Sequence, residues 1–355
     1  MSRFWSKAVA QLTPYTPGEQ LQITDLIKLN TNESPYGPSP KAMAAIQNAC
    51  NDSLRLYPPP NSDALKETIA KVYGLETSQV FVGNGSDEIL AHIFLGLFKH
   101  EDPIVFPDIS YTFYPVYASL YEIDTIRVPL DEQLQIQIDD YIAHPQNGGI
   151  IFPNPNAPTG QGIALSDIER LLKANTNSVV VIDEAYVDFG TESSVSLINQ
   201  YDNVLVTHSL SKSRALAGLR VGYAMGNARL IEGLERVKNS FNSYPLDRLA
   251  QAGAQAAVAD QVHLKQTSQK VIDTRNKLIP ELDALGFQTL PSQANFVFTT
   301  HPDLSGDELY QGLRDQKILV RHFNAPRIHQ YVRITIGTEL QCADLIRALK
   351  HLLKK

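Results

Sequence analysis

The chain has 355 residues, 43% of them hydrophobic and 19% charged, which is enough for one large α/β domain and a smaller one. Its formal charge of −7, with no block of Lys and Arg, excludes a protein that neutralises a nucleic-acid backbone. It leaves room for a phosphorylated small molecule, which a few local cations can hold.

The two cysteines, Cys50 and Cys342, lack metal-ligand spacing and read as packing residues of a reduced compartment. The opening "MSRFWSKAVAQLTPYTPGEQ" contains no apolar signal-peptide core, and no apolar run is long enough to span a bilayer. The expected location is the cytoplasm, and no membrane or nucleic-acid partner is expected.

Residues 1–38 are rich in Pro, Asn, Thr and Gly and read as an irregular arm. "SPKAMAAIQNAC" predicts a helix with Ser39 as N-cap and Pro40 in the first turn. "LYPPPNSDALKETIAKVYGL" predicts a Pro-rich loop, Ser62 or Asp63 as cap, and an amphipathic helix. Seven apolar strand candidates follow: "QVFVGNG", "PIVFPD", "DTIRVPL", "GGIIFPNP", "SVVVIDEAY", "NVLVTHSL" and "RVGYAMG". Helical stretches separate most of them, which indicates a mainly parallel sheet covered on both faces. A long helix is expected from about Leu246 to Leu285, closed by Gly286. The rest reads as a smaller α+β unit. The expected division is an arm over 1–38, a large domain over 39–275 and a small domain over 276–355.

Ligands of such sheets bind at the C-terminal strand ends, and four polar features fall there. In "FVGNGSDEILAHIF" a Gly83–Asn84–Gly85 turn leads into a helix start at Ser86 and Asp87, which is either an anion site or an ordinary N-cap. In "SVVVIDEAYVDF", Asp183 ends a buried strand and needs a cationic partner, a metal or a protonated ring nitrogen. The His/Cys set of a metal site is missing, so the nitrogen is preferred and no metal is expected. Tyr186 could reach the same ligand. "IIFPNPNAPTGQG" places Asn154 and Asn156 in a rigid turn. In "NVLVTHSLSKS", Lys212 follows a strand end, where a lysine can attack a carbonyl, and Ser209, Ser211 and Arg220 suit a phosphate. An anion site, a strand-end Asp, an Asn turn and a Lys among phosphate ligands together fit pyridoxal 5′-phosphate.

On "SLSKSRALAGLR", "NPNAPTG", "VIDEAY" and "GNGSDE", which stand in the family's order and at about its spacing, the chain resembles the fold type I, aspartate-aminotransferase-like enzymes that use this cofactor. "LTPYTPG", "IKLNTNESPYGPSP", "LRLYPPPN", "SQANFVF" and "YVRITIGT" resemble the branch that acts on histidinol phosphate. The resemblance runs from about Leu12 to Lys350. It implies a mainly parallel seven-stranded sheet in a large three-layer cofactor domain, a smaller α+β domain, and a homodimer. The implied reaction is transamination between histidinol phosphate and 2-oxoglutarate, giving imidazole acetol phosphate and glutamate in histidine biosynthesis. A threonine-phosphate decarboxylase or a broad aromatic aminotransferase on the same scaffold is the alternative.

The resemblance also implies roles. Lys212 carries the cofactor and shuttles the proton, Asp183 pairs with the ring nitrogen, and Tyr186 bonds the phenolic oxygen. Tyr111 stacks on the ring. Gly85, Ser86, Asp87, Ser209, Ser211 and Arg220 hold the phosphate, and Tyr57 reaches the phosphate of the neighbouring subunit. Tyr15, from the arm and across the same interface, contacts substrate together with Asn32, Arg321 and Arg333. The family's usual Asn before Pro-Thr-Gly is Ala157 here, and Asn156 is the expected substitute.

Overall fold

The computed structural model describes residues 2–15, 18–20 and 23–354. Thr16 and Pro17 of the arm motif therefore lie outside the described residues. All seven strand candidates form strands, and they make one sheet. Its order is Val80–Gly83, Gly222–Gly226, Val204–Ser209, Val180–Asp183, Gly149–Pro153, Ile104–Pro107 and Thr125–Val128. Only Gly222–Gly226 runs antiparallel to its neighbours. The central strands are apolar at nearly every position because both faces are covered. Val180 and Ile182 enter one core, while Val181 enters the other with Phe81, Phe106 and Leu205.

Ser39 caps the helix Pro40–Ala49 as expected, its hydroxyl accepting from Lys41 N. Ser62 stands at the N-cap of Asp63–Tyr73, yet its φ of +52° is left-handed and its hydroxyl makes no capping bond. The long helix expected over 246–285 is two helices, Arg248–Ala259 and Gln261–Asp283. The break is at Asp260, whose carboxylate accepts from Ser39 Oγ at 2.6 Å and Lys41 Nζ at 3.3 Å while capping the second helix. That anchorage draws the chain out of helical geometry where propensity alone would continue it. Gly286, at φ +89°, follows the second helix.

The C-terminal unit holds an antiparallel sheet ordered Arg321–His322, Val332–Thr335, Phe296–Thr300 and Gln288–Thr289. The arm is less irregular than its composition predicts. Lys7–Gln11 is a short helix capped by Ser6, and Ile27–Lys28 pairs in parallel with Ile318–Leu319. Leu29 then packs into the C-terminal core beside Val271, Leu278 and Val297. No helix among the described residues is long and apolar enough to cross a membrane.

Candidate active site

The polar residues at the C-terminal strand ends surround a cavity of about 180 Å³. Its lining includes Ser86, Asp87, Tyr111, Asp183, Tyr186, Ser209, Ser211, Lys212 and Arg220. It opens into an outer cavity of about 490 Å³ that shares Lys212, Tyr186, Tyr111 and Arg220 and adds Tyr15, Asn32, Arg321, Phe323 and Arg333. A larger surface cleft of about 700 Å³ lies at the opposite end of the sheet, by Gly148, Val179 and Asn203. The strands begin there, so the convergent polar groups belong to the smaller cavities.

One end of the inner cavity is built for an anion. Asn84, rather than Ser86 or Asp87, is the N-cap of the helix Gly85–Gly96, which places Ser86 and Asp87 in its first turn with their N–H groups free of helical partners. Gly85 takes φ +82°, and a Cβ there would lie 2.6 Å from Arg220 Nη2. A Cβ on Gly222 would lie 2.6 Å from Ser86 N. Both positions need glycine so that backbone and guanidinium can close on one small volume. Arg220 donates to Asp87 Oδ2 at 3.3 Å and to Ser211 Oγ at 3.4 Å. Ser209 Oγ accepts from Ser211 N.

Asp183 is buried and has no cationic partner among the described residues. Tyr114 Oη donates to its Oδ2 at 3.0 Å, and Thr207 Oγ1 and Ala185 N each donate to Oδ1 at 3.3 Å. Burial pushes its pKa up to about 6, against the lowering effect of these bonds. Such a carboxylate is ready to take a cationic ligand atom. Tyr114 and Thr207 escaped the sequence reading. Thr207 could have been found, since it lies beside Asp183 in the strand register. Tyr114 had only its place three residues after Tyr111, at the start of a helix, to mark it.

Lys212 Nζ donates to Thr31 O at 3.1 Å and lies 5.8 Å from the Tyr186 ring centroid. The buried lysines Lys66 and Lys238 both pair with Glu235, whereas Lys212 has no carboxylate partner among the described residues. Tyr186 Oη accepts from Asn32 Nδ2 at 2.9 Å. Asn32, at φ +56°, also donates through its N–H to Thr335 Oγ1, accepts from that hydroxyl at Oδ1, and accepts from Asn295 Nδ2 at its carbonyl. Tyr111 Oη donates to Asp87 Oδ1 at 2.8 Å, and burial, then the Asp87 charge, lifts its pKa well above the usual phenol value.

Asn156 is buried but does not line the inner cavity. Its Nδ2 donates to Ile109 O and Thr159 Oγ1, fixing the turn, and Ala157 borders the cavity instead. Tyr57 is also away from this cavity, 79% exposed, with its ring 4.9 Å from that of Tyr244. Tyr15, expected to act across a subunit interface, borders its own chain's outer cavity and stacks on Phe113 at 4.3 Å. Glu19, also in the arm, is bound to Arg314 and Tyr310 of the C-terminal unit.

Arg321 and Arg333 line the outer cavity with no carboxylate partner among the described residues. Arg333 donates from Nη2 to Asn30 O at 3.1 Å, its Nε is buried without a partner, and its guanidinium sits 5.2 Å from the Phe296 ring centroid. Burial, with Arg321 nearby, lowers its pKa from the usual guanidinium value. Two unneutralised guanidinium groups in one cavity have the charge and donors to hold an anion.

The family profile "aminotransferase class I and II" matches residues 24–349. Histidinol-phosphate aminotransferase of Aromatoleum aromaticum is 58% identical over 356 residues, covering 100% of both chains. A Pseudomonas putida protein of the same name is 59% identical over 349 residues, 98% of this chain and 100% of the relative. Among solved structures, histidinol-phosphate aminotransferase of Sinorhizobium meliloti, in complex with pyridoxal-5′-phosphate, has the same fold, with a TM-score of 0.89 at 22% identity over 100% of this chain and 98% of that one.

Proposed function

The chain belongs to the class I and II aminotransferase family, and from that premise we propose that it transfers the amino group of histidinol phosphate to 2-oxoglutarate. The products are imidazole acetol phosphate and glutamate, in histidine biosynthesis. The observation that carries the reading is the pairing of two separate anion sites with a lysine between serines at a strand end. Full-length relatives of the same activity support it.

The residues present fit pyridoxal 5′-phosphate. Gly85 and Gly222 leave a cradle that a Cβ would fill, and Asp183 is a buried carboxylate lacking a cation. Ser86, Asp87, Ser209, Ser211 and Arg220 would hold the phosphate, Asp183 the ring nitrogen, Tyr186 the phenolic oxygen and Tyr111 the ring face. When bound, the cofactor supplies an aldehyde for the amine and an electron-accepting ring. Lys212 would hold the cofactor through its amine, and its Nζ would move the proton of the substrate Cα. Asp183 would hold a proton on the ring nitrogen, and the ring cation would in turn keep the carboxylate anionic. Arg321 and Arg333 orient the substrate's anion, which is a phosphate ester in one half-reaction and a carboxylate in the other.

We further propose a homodimer in the cytoplasm. Leu54, Leu56, Tyr57, Phe241 and Tyr244 are exposed large hydrophobic residues near the Pro-rich loop. A second copy covering them would bring Tyr57 to its partner's cofactor phosphate, the role that Tyr57 does not fill in its own cavity.

The test supplies purified enzyme with histidinol phosphate and 2-oxoglutarate and follows glutamate and carbon dioxide together. One glutamate per histidinol phosphate consumed, with no carbon dioxide, is the expected result. Carbon dioxide released from threonine phosphate at a comparable rate would assign the chain to the decarboxylase. Equal rates with phenylalanine or tyrosine would make it a broad aromatic aminotransferase.

A further inference from the structure

One wall of the outer cavity comes from the arm, through Tyr15, Gly18 and Gln20. Glu19, between the last two, does not line the cavity. Its carboxylate takes a bidentate pair from Arg314 on the helix Gly306–Asp315, Nη2 to Oε1 at 2.8 Å and Nε to Oε2 at 3.1 Å. Tyr310 Oη, one turn earlier, donates to Oε2 at 2.7 Å. The same residue is tied to the substrate side through its backbone. Asn30 Nδ2 donates to Glu19 O at 2.8 Å, and Asn30 O accepts from Arg333 Nη2. Gly18 lies so close to this floor that a Cβ would sit 3.2 Å from Thr31 Cγ2 and 3.5 Å from Arg321 Nη1.

We propose that Glu19 is a positioning residue that fastens the arm to the C-terminal helix as a wall of the substrate cavity and so sets the affinity for the phosphorylated substrate. The inference rests on the transaminase reading for its substrate but not for its geometry. Without the fastening, each binding event has to order the arm, and that entropy is subtracted from affinity. The pairing also occupies the Glu19 carboxylate with Arg314, so that it does not compete with substrate for Arg321 and Arg333. Because Glu19 touches no reacting atom, its loss acts on KM and not on kcat.

The experiment uses the full-length holoenzyme. Glu19→Gln is expected to raise KM for histidinol phosphate about three- to tenfold, the range for a partly exposed bidentate pair with an added hydroxyl bond. The visible absorbance of the cofactor and kcat should stay close to those of the parent. Amide exchange at Gly18, Glu19 and Gln20 should quicken. Charge exchange, Glu19→Arg with Arg314→Glu, should recover part of the KM loss. Arg314→Met tests the same pair from the other side should Glu19→Gln fold poorly. An unchanged KM with unchanged exchange overturns the proposal, as does a loss of kcat and cofactor absorbance in parallel with KM. A parent enzyme inactive on histidinol phosphate would overturn the transaminase reading alone, since amide exchange still decides the fastening.

Discussion

Asp183 is where the chemistry of the cavity is decided residue by residue. Three hydrogen bonds do not offset its burial, so its carboxyl in the cofactor-free chain has a pKa of about 6. The folded value lies above the unfolded one, so the folded state binds the extra proton between the two. Stability from this site is therefore greatest below the ordinary aspartate range and falls by about 3 kcal/mol as pH rises through 6. Cofactor-free Asp183→Asn should melt higher than the parent at pH 7, and the gap should close near pH 4. With cofactor bound the sign reverses, because a carboxylate facing a ring cation holds it protonated. Loaded Asp183→Asn should lose orders of magnitude in turnover. A loss below about tenfold, roughly 1.4 kcal/mol of barrier, would mean that the pairing is misassigned. Asp183 itself was legible in the sequence because a carboxylate at the end of "VVVI" is costly without a partner. Tyr114 and Thr207 were not, since their value lies in a contact that only strand pairing and helix packing create.

The two strands that carry Asp183 and Thr207 are joined on both faces of the sheet. Thr207 Oγ1 donates to Asp183 on the cavity side. One residue further on, the side chains point the other way, and His208 Nε2 donates to Glu184 Oε2 at 2.9 Å. Ser193 Oγ donates to Glu184 Oε2 and Ser194 N to Oε1, each at 2.6 Å, and Tyr73 and Tyr223 meet His208 Nδ1. Glu184→Leu would leave His208 Nε2, Ser193 Oγ and Ser194 N without their acceptor. It should cost about 3–5 kcal/mol in urea unfolding, with Glu184→Gln recovering part of it. A cost under about 1 kcal/mol would show that this pair does not join the strands. The strands were readable because short β-branched runs bounded by Pro, Gly and Asn have few alternatives. Their order was not, and neither was the reversed direction of Gly222–Gly226, because non-local pairing leaves no local mark. Asp260 shows the opposite limit, where good helix propensity on both sides gave way to a cap held by Ser39.

Across the whole molecule, the site exists only because two cores meet. Asn32 ties Tyr186, beyond the end of a large-sheet strand, to Thr335 and Asn295 of the C-terminal unit. Arg321 and Arg333 reach the cavity from that second sheet. Asn32, Arg321 and Arg333 are ordinary in their own segments and were marked only by resemblance to a family, whereas Thr335 and Asn295 were not marked at all. On this arrangement Lys212 is the lysine expected to take the cofactor, while the buried Lys66 and Lys238 are both committed to Glu235. Borohydride reduction of the holoenzyme followed by peptide mass analysis tests it most directly. A single pyridoxyl modification, on Lys212, and none in Lys212→Ala, is the expected result; the same modification on any other lysine, with Lys212 unlabelled, would overturn the assignment.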